Sequence, residues 1–355
     1  MSLPARMSGV LLTRHGGPEA LVWRDDIPVP APGPGQVLVR VLAAGVNNTD
    51  INTRIGWYSP DVTGATDDVD QDVEAGGWAG ALTFPRIQGG DLCGRVVALG
   101  DGVEGFAMDQ RVTCPINLPR PTPATPQAYI ALGSELDGAF AQYCLVEAAD
   151  LYDVSVSPLS DIEIAAIPCA FGTAENLLTR AAVCDGQSVL VTGASGGVGL
   201  AAVQLAALRG ARVTGITSPA KADTVRTAGA EHILERDATP PENAFDVVID
   251  VVAGPAWPAL IRALKAGGHY AVSGAIAGPV VTADLRDIYL RDITLHGCTY
   301  QPPGVFERLV RLINTGDIRP LISKTYPLEQ IALAQADFMS KRHPGKQVLI
   351  PATAD

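Results

Sequence analysis

The spacing of apolar and polar positions changes character along this chain. Up to about residue 150 the apolar runs are short and bounded by glycine and proline. Residues 10–13, 37–44, 95–99, 111–114 and 139–146 read as strands, and Pro28, Pro30, Pro32, Gly33, Pro34 and Gly35 separate the first two. Two stretches, 59–84 and 115–138, carry no such runs and read as surface loops. From about 152 to 299 strands alternate with helical spacing. The strands are predicted at 189–192, 212–217, 232–234, 246–252, 270–273 and 293–298, with helices over 198–209, 219–228 and 255–266. That alternation predicts a parallel, doubly wound sheet. The remainder predicts two helices, 305–314 and 328–340, and a closing strand, 347–350.

The most informative stretch is 188–209, SVLVTGASGGVGLAAVQLAALR. A β-branched strand runs into Gly193, Ala194, Ser195, Gly196 and Gly197, and a helix follows in which Val198, Ala202, Leu205 and Leu208 share one face. Gly210 stands where a glycine ends a helix. Strand, glycine turn and helix N-terminus in that order form a cradle for a pyrophosphate, because glycine lets the backbone approach and the free N–H groups favour an anion. The core of the turn is Ala194-x-Gly196-x-x-Gly199, a variant of the dinucleotide fingerprint. No Gly-Lys-Ser/Thr follows, which excludes a Walker loop. Residues 189–208 hold no charge, but glycines near the start and a β-branched strand argue for a buried strand and helix over a membrane span.

Composition narrows the partners. The chain has 355 residues, room for two domains, and a net charge of −12 that repels nucleic acid and anionic membranes. Its first twenty residues contain no apolar signal core, so a cytoplasmic protein is expected. The six cysteines, Cys93, Cys114, Cys144, Cys169, Cys184 and Cys298, form no C-x-x-C pair, so a four-cysteine zinc lobe is not expected. The stretch 59–84 carries six acidic residues and no basic one. Within it Asp67-Asp68-x-Asp70-x-Asp72 lacks the glycine and glutamate of a calcium loop, and a solvated loop is the expectation.

Several short motifs lie in a fixed order. They are Gly16-Gly17-Pro18-Glu19, Pro28-x-Pro30-x-Pro32-x-x-Gly35, Ala43-Ala44-Gly45-Val46-Asn47-Asn48-Thr49-Asp50-Ile51 and Phe84-Pro85-x-x-x-Gly89-x-Asp91-x-x-Gly94-x-Val96. Pro168-Cys169-Ala170-x-Gly172-Thr173-Ala174, the nucleotide loop and Gly345-Lys346-x-Val348-Leu349 complete the set. Over almost its whole length the chain resembles the medium-chain dehydrogenase/reductase superfamily, and specifically its zinc-independent quinone oxidoreductase-like branch. The resemblance implies an α/β protein: a GroES-like β-rich catalytic domain (1–151, rejoined by 300–355) split by a Rossmann domain, a doubly wound parallel sheet, at 152–299. It also implies an active site in the cleft between them and a homodimer formed through a Rossmann sheet edge.

In the zinc alcohol dehydrogenases of that superfamily a cysteine stands where this chain has Asn47, a histidine where it has Gly90, and a second cysteine matches Cys169. Two of three ligands are missing, so no metal is expected. A set made of Cys169, Asp91 and Asp50 is the remaining way to hold one. For the cofactor, the second strand ends at Thr217 and Ser218 without the carboxylate that binds a ribose 2′-hydroxyl, and Lys221 follows. A hydroxyl and an ammonium suit a 2′-phosphate, so NADPH is the expected cofactor. Position within the resemblance adds Thr173, Ser273 and Gly274 to the cofactor contacts, beside Ala194, Ser195, Gly196, Gly197, Val198, Gly199, Ser218 and Lys221.

Without a Lewis acid, reduction of an activated acceptor is the natural chemistry, with hydride passing to a quinone or an α,β-unsaturated carbonyl. Asn47 offers an amide donor to a developing oxyanion. Tyr58 resembles in position the proton-donating tyrosine of 2-enoyl thioester reductases, and Asp50 is a candidate to orient either one. Three other readings stay open on the sequence: a 2-enoyl thioester reductase, a zinc-type alcohol dehydrogenase with unusual ligands, and a non-catalytic NADPH-binding protein.

Overall fold

A computed structural model describes residues 3–59, 61–66, 78 and 82–352. The acidic Asp67–Asp72 motif lies outside these residues. The chain divides into two compact units, one of Met1–Asp61, Asp70–Cys169 and Pro302–Asp355, the other of Val62–Val69 and Ala170–Gln301.

The first unit is built around one long strand, Gln36–Val46. Val37, Leu38, Val39, Val41, Ala43, Ala44 and Val46 are all buried along it, so both faces meet apolar neighbours. It pairs antiparallel with Cys93–Leu99, with Tyr143–Glu147 and, at its far end, with the last strand of the chain, Lys346–Ile350. Arg111–Thr113, Tyr152–Asp153 and Ile322–Pro327 extend this seven-stranded sheet. A second sheet joins Arg6–Leu12 to Leu21–Pro28 and Arg86–Ile87. The core between them includes Met7, Val10, Leu38, Val96, Phe140 and Leu349.

Several elements were not expected from the sequence. Leu21–Pro28 is a strand whose side chains are mostly exposed, so its apolar pattern is faint. The stretch read as loop 115–138 holds the short antiparallel pair Asn117–Pro119 and Tyr129–Ala131. Ile322–Pro327 adds an edge strand, and the expected strand 139–146 narrows to Tyr143–Glu147. Tyr152–Asp153 pairs with Arg111–Thr113, which keeps 152–169 with the first unit rather than opening the second.

In the second unit six parallel strands run in the order His232–Leu234, Arg212–Ile216, Ser188–Val191, Phe245–Asp250, Leu264–Val272 and Thr294–Gly297. Numbered along the sheet's own chain order this is 3-2-1-4-5-6, the Rossmann arrangement, in which ligands bind where the order reverses. Here the reversal falls between Ser188–Val191 and Phe245–Asp250. The helix expected over 255–266 is shorter, Trp257–Ala263, because Leu264 already pairs with Phe245 as strand. The helix Pro168–Arg180 was seen in the sequence only as the motif 168–174, and the short helix Arg286–Tyr289 was not expected.

Candidate functional site

At the sheet reversal the strand Ser188–Val191 turns sharply and enters the helix Gly197–Leu208, with Gly196 at its N-cap. Gly193 has a φ of 55°, a left-handed turn that glycine adopts without strain. A Cβ on Gly199 would stand 2.2 Å from the Gly193 carbonyl oxygen and 2.7 Å from Ala194 Cα, so only hydrogen fits where helix meets loop. A Cβ on Gly196 would meet nothing nearer than 3.4 Å, which leaves that face open to an approaching group. The first-turn N–H groups of Gly197, Val198 and Gly199 have no partner within the helix. Together these features fit a pyrophosphate.

The neighbouring loop is organised by a buried carboxylate that the sequence did not mark. Asp250 accepts from Thr192 Oγ1 (2.5 Å), Tyr270 OH (2.6 Å), and the Val252 and Ala253 N–H groups. Burial, and then the Asp250 charge, push the Tyr270 phenol far above its ordinary range. Asp250 thereby holds Val251 and Val252 against the glycine turn. Of the other expected cofactor residues, Ala194 and Ser195 are buried in the turn and Thr173 is buried on the helix Pro168–Arg180. Ser273 Oγ donates to Cys298 O (2.7 Å) just past the fifth strand, with Gly274 close to the Val251 carbonyl. Ser218 caps the turn Pro219–Lys221 after the second strand. Burial, and then the charge of Arg236, lower the pKa of Lys221.

The second cluster lies in the first unit, where Gln36–Val46 ends. Asn47 caps the helix Asn48–Ile55, and its N–H donates to Asp50 Oδ2 (2.8 Å). Its side chain is fully engaged: Nδ2 donates to Asp91 Oδ2 (2.9 Å), and Oδ1 accepts from Lys346 Nζ. Lys346 Nζ donates as well to Asp91 Oδ2 (2.8 Å) and to Val46 O (3.0 Å). Asp91 Oδ1 accepts the Cys169 N–H at 2.6 Å. The ion pair is wholly enclosed, with Lys346 3% and Asp91 0% exposed. Such a pair is tolerated because every hydrogen of the ammonium has an acceptor.

This geometry revises two expectations. Asn47 gives one amide hydrogen to Asp91 at 2.9 Å, and Gly45 O lies 3.5 Å from the same nitrogen, so the amide is anchored within the cluster. Asp50 orients the Asn47 backbone, whereas the Tyr58 hydroxyl donates to Thr49 Oγ1 (2.9 Å). Tyr58 is half-buried, and burial keeps its phenol protonated well above the ordinary range. Burial also pushes the Asp50 carboxyl up to about 7; nearby Asp91 adds to this, while the Asn47 and Gly89 amides and Lys346 oppose it. Lys346 and Thr49 were the residues missed. Both stand within the quoted motifs, but their partners lie nine residues away for Thr49 and more than 250 for Lys346, and the motifs give them no role.

Two family models match the chain: the alcohol dehydrogenase GroES-like domain over residues 33–156, and zinc-binding dehydrogenase over 197–315. A crystallised Sinorhizobium meliloti 1021 protein is 40% identical, with a TM-score of 0.88 and 99% of this chain and 98% of that one covered. The chain belongs to the medium-chain dehydrogenase/reductase superfamily. This superfamily of oxidoreductases also supplies its curated relatives. An acryloyl-coenzyme A reductase of Metallosphaera sedula is 28% identical over 91% of this chain and 95% of its own. A quinone oxidoreductase of Rattus norvegicus is 27% identical over 97% and 98%.

A zinc ion does not fit the residues present. At position 47 the amide is committed to Asp91 and Lys346. At Gly90 a Cβ would stand 2.0 Å from Ile116 Cδ1, so Ile116 fills the space a ligand there would need. Asp91, the remaining carboxylate, neutralises an ammonium. Among the described residues no group of three His, Cys, Asp or Glu side chains is arranged to hold a metal, the set Cys169, Asp91 and Asp50 included. Among the same residues no helix is long and apolar enough to cross a membrane.

Proposed function

We propose that this oxidoreductase is an NADPH-dependent reductase of small molecules, acting without a catalytic metal on quinones or α,β-unsaturated carbonyl compounds. The observation that supports the reading is the buried Lys346–Asp91–Asn47 cluster, in which Asn47, at one of the positions that hold zinc in the alcohol dehydrogenases, is bound to an ammonium instead. Bound nicotinamide supplies the hydride. The glycine turn and the helix N-terminus at Gly197 would hold the pyrophosphate, and Ser218 and Lys221 would meet the 2′-phosphate. Tyr58, a protonated phenol on Thr49, supplies the proton: hydride goes to the β-carbon of the enone, and the phenol hydrogen to the carbon or oxygen that gains the electron pair.

The test is NADPH oxidation by chelator-treated protein, with a quinone and an enoyl thioester side by side. Turnover that survives chelation supports the reading. Turnover restored only by zinc, with an alcohol and oxidised cofactor, overturns it, and dinucleotide binding without turnover on either acceptor points to a non-catalytic protein. The protonated Tyr58 and the likeness to an acryloyl-coenzyme A reductase favour one second reading, a 2-enoyl thioester reductase. Under it, Tyr58→Phe lowers kcat on the thioester by about 100-fold, the scale of general acid catalysis, and leaves quinone reduction nearly intact. Lys221→Ala raises the KM for NADPH by about 10-fold, the size of one charge-assisted contact, with little change for NADH.

Asp50 gives a pH signature. Its carboxyl titrates near 7 folded and in the ordinary carboxylate range unfolded, so the folded state holds the extra proton between the two. Its contribution therefore favours folding below that window and declines as the pH rises through about 7. Urea unfolding at pH 5 and pH 8 will show a smaller difference between the two pH values in Asp50→Asn than in wild type. An equal difference in both proteins would contradict this. A homodimer is proposed through the edge strand Thr294–Gly297, which pairs on one side with Leu264–Val272; Leu295 on it is exposed, as are Tyr289 and Leu290 earlier in the chain. Leu295→Lys should shift the mass in light scattering to that of one chain.

A further inference from the structure

The structure assigns to Lys346 the part of a fixed cation in the candidate site: a positioning residue whose ammonium, in place of a metal, locks Asn47 and Asp91 and through them the start of the helix bearing Thr49. This inference rests on the reading of that cluster as part of a reductase site.

The argument is one of saturated valence. An ammonium has three hydrogens, and Lys346 gives them to Val46 O, Asn47 Oδ1 and Asp91 Oδ2. The Asn47 amide is thereby fixed in one orientation, since a flip would bring its NH2 against the ammonium and its carbonyl against the carboxylate. Nδ2 then completes the triangle at Asp91 Oδ2. Backbone follows side chain: the Asn47 N–H reaches Asp50, and the helix that begins there carries Thr49, the acceptor for the Tyr58 hydroxyl. At the other end, Asp91 Oδ1 fixes the Cys169 N–H.

Close packing leaves the cluster no alternative arrangement. A Cβ on Gly45 would stand 2.3 Å from Asp91 Oδ2 and 2.6 Å from Ala165 O. A metal in this superfamily holds residues at positions 47, 90 and 169 by coordination. Here one buried charge holds positions 47 and 91 directly, and position 169 through Asp91, by hydrogen bonds.

The experiment compares wild type, Lys346→Met and the double variant Lys346→Met/Asp91→Asn, which removes both charges together. NADPH oxidation with a quinone and an enoyl thioester gives kcat and KM. Urea unfolding across pH 5–9 follows the Asp50 titration. We expect the double variant to regain most of the stability to urea lost by the single one, while kcat stays about 10- to 100-fold below wild type, the usual cost of losing a group that orients another. The KM for NADPH should be unchanged in both, because the cofactor residues lie in the other unit. In Lys346→Met the Asp50 break in stability should move to higher pH. A double variant with wild-type kcat overturns the inference and leaves Lys346 a structural ion pair. An unmoved Asp50 break in the single variant overturns it as well. Failure of wild type itself to turn over either acceptor sinks the reductase reading instead, and the stability titration still reports whether the ammonium governs Asp50.

Discussion

Gly199→Val is expected to abolish dinucleotide binding and to lower Tm by several degrees. The cause is contact with backbone rather than with a side chain able to move aside. Any Cβ at 199 would stand 2.2 Å from the Gly193 carbonyl oxygen and 2.7 Å from Ala194 Cα. The helix Gly197–Leu208 would have to lift away from the turn, carrying off the N–H groups that face the pyrophosphate. Overpacking of this kind costs about 1–3 kcal/mol, or more where the neighbours are backbone. In a folding unit of about 150–250 residues each kcal/mol shifts Tm by roughly 2–4 °C. Gly304→Ala is the control, because its Cβ would meet only the tip of Arg308 at 4.0 Å. Calorimetry and dinucleotide titration of the two variants would decide the matter. Unchanged binding by Gly199→Val would mean that the turn does not hold the cofactor.

Asp91→Ala should destabilise the chain by about 3–5 kcal/mol, the cost of leaving a buried ammonium without its counter-ion. Distance alone would not single out this pair. Arg24 and Asp26 approach more closely, 2.6 Å against 2.8 Å for Lys346 and Asp91. Burial decides between them. Arg24 and Asp26 are 49% and 46% exposed, so water screens their attraction and solvates either partner when the other is lost. Asp26→Ala should therefore leave stability nearly unchanged. Urea unfolding of the two variants at pH 7 makes the comparison, and equal losses would mean that the ammonium finds another acceptor inside.

Much of the second unit was legible in the sequence because its signals are local. Buried parallel strands are continuous apolar runs, and the turn that reads Gly193 to Gly199 depends on neighbours within seven residues. The strand His232–Leu234 matches its expected bounds, and the helix Gly197–Leu208 lies within a residue of its own. The first unit was harder to read. Leu21–Pro28 is strand because Arg6–Leu12 offers it a ladder, although five of its eight residues are exposed and hide the alternation. At the candidate site the residue types at 47, 50 and 58 were visible, but the partners were not. Lys346 meets Asp91 across 255 positions and Asn47 across 299, and a pairing at that distance leaves no periodicity to detect. The engaged state of the Asn47 amide, and the roles of Thr49, Ile116 and Asp250, could be read only from the folded arrangement.

The distance in sequence between Lys346 and its partners, 255 positions to Asp91 and 299 to Asn47, bears on how the protein is made. The strand Lys346–Ile350 is the last element and pairs with Gln36–Val46, one of the first. During synthesis the ribosome must therefore deliver the whole second unit, and nearly all the rest, before the ammonium exists that can neutralise Asp91. Until then the nascent first unit carries a carboxylate in its apolar interior with no counter-charge, so that region must stay hydrated or held open. The second unit is free to fold earlier, since its strands are contiguous in sequence and close by short crossovers. In this order of assembly the nucleotide-binding half comes first. The Lys346 cluster closes only after that residue has been made, so a product that stops before Lys346 would carry a formed cradle and an incomplete cluster.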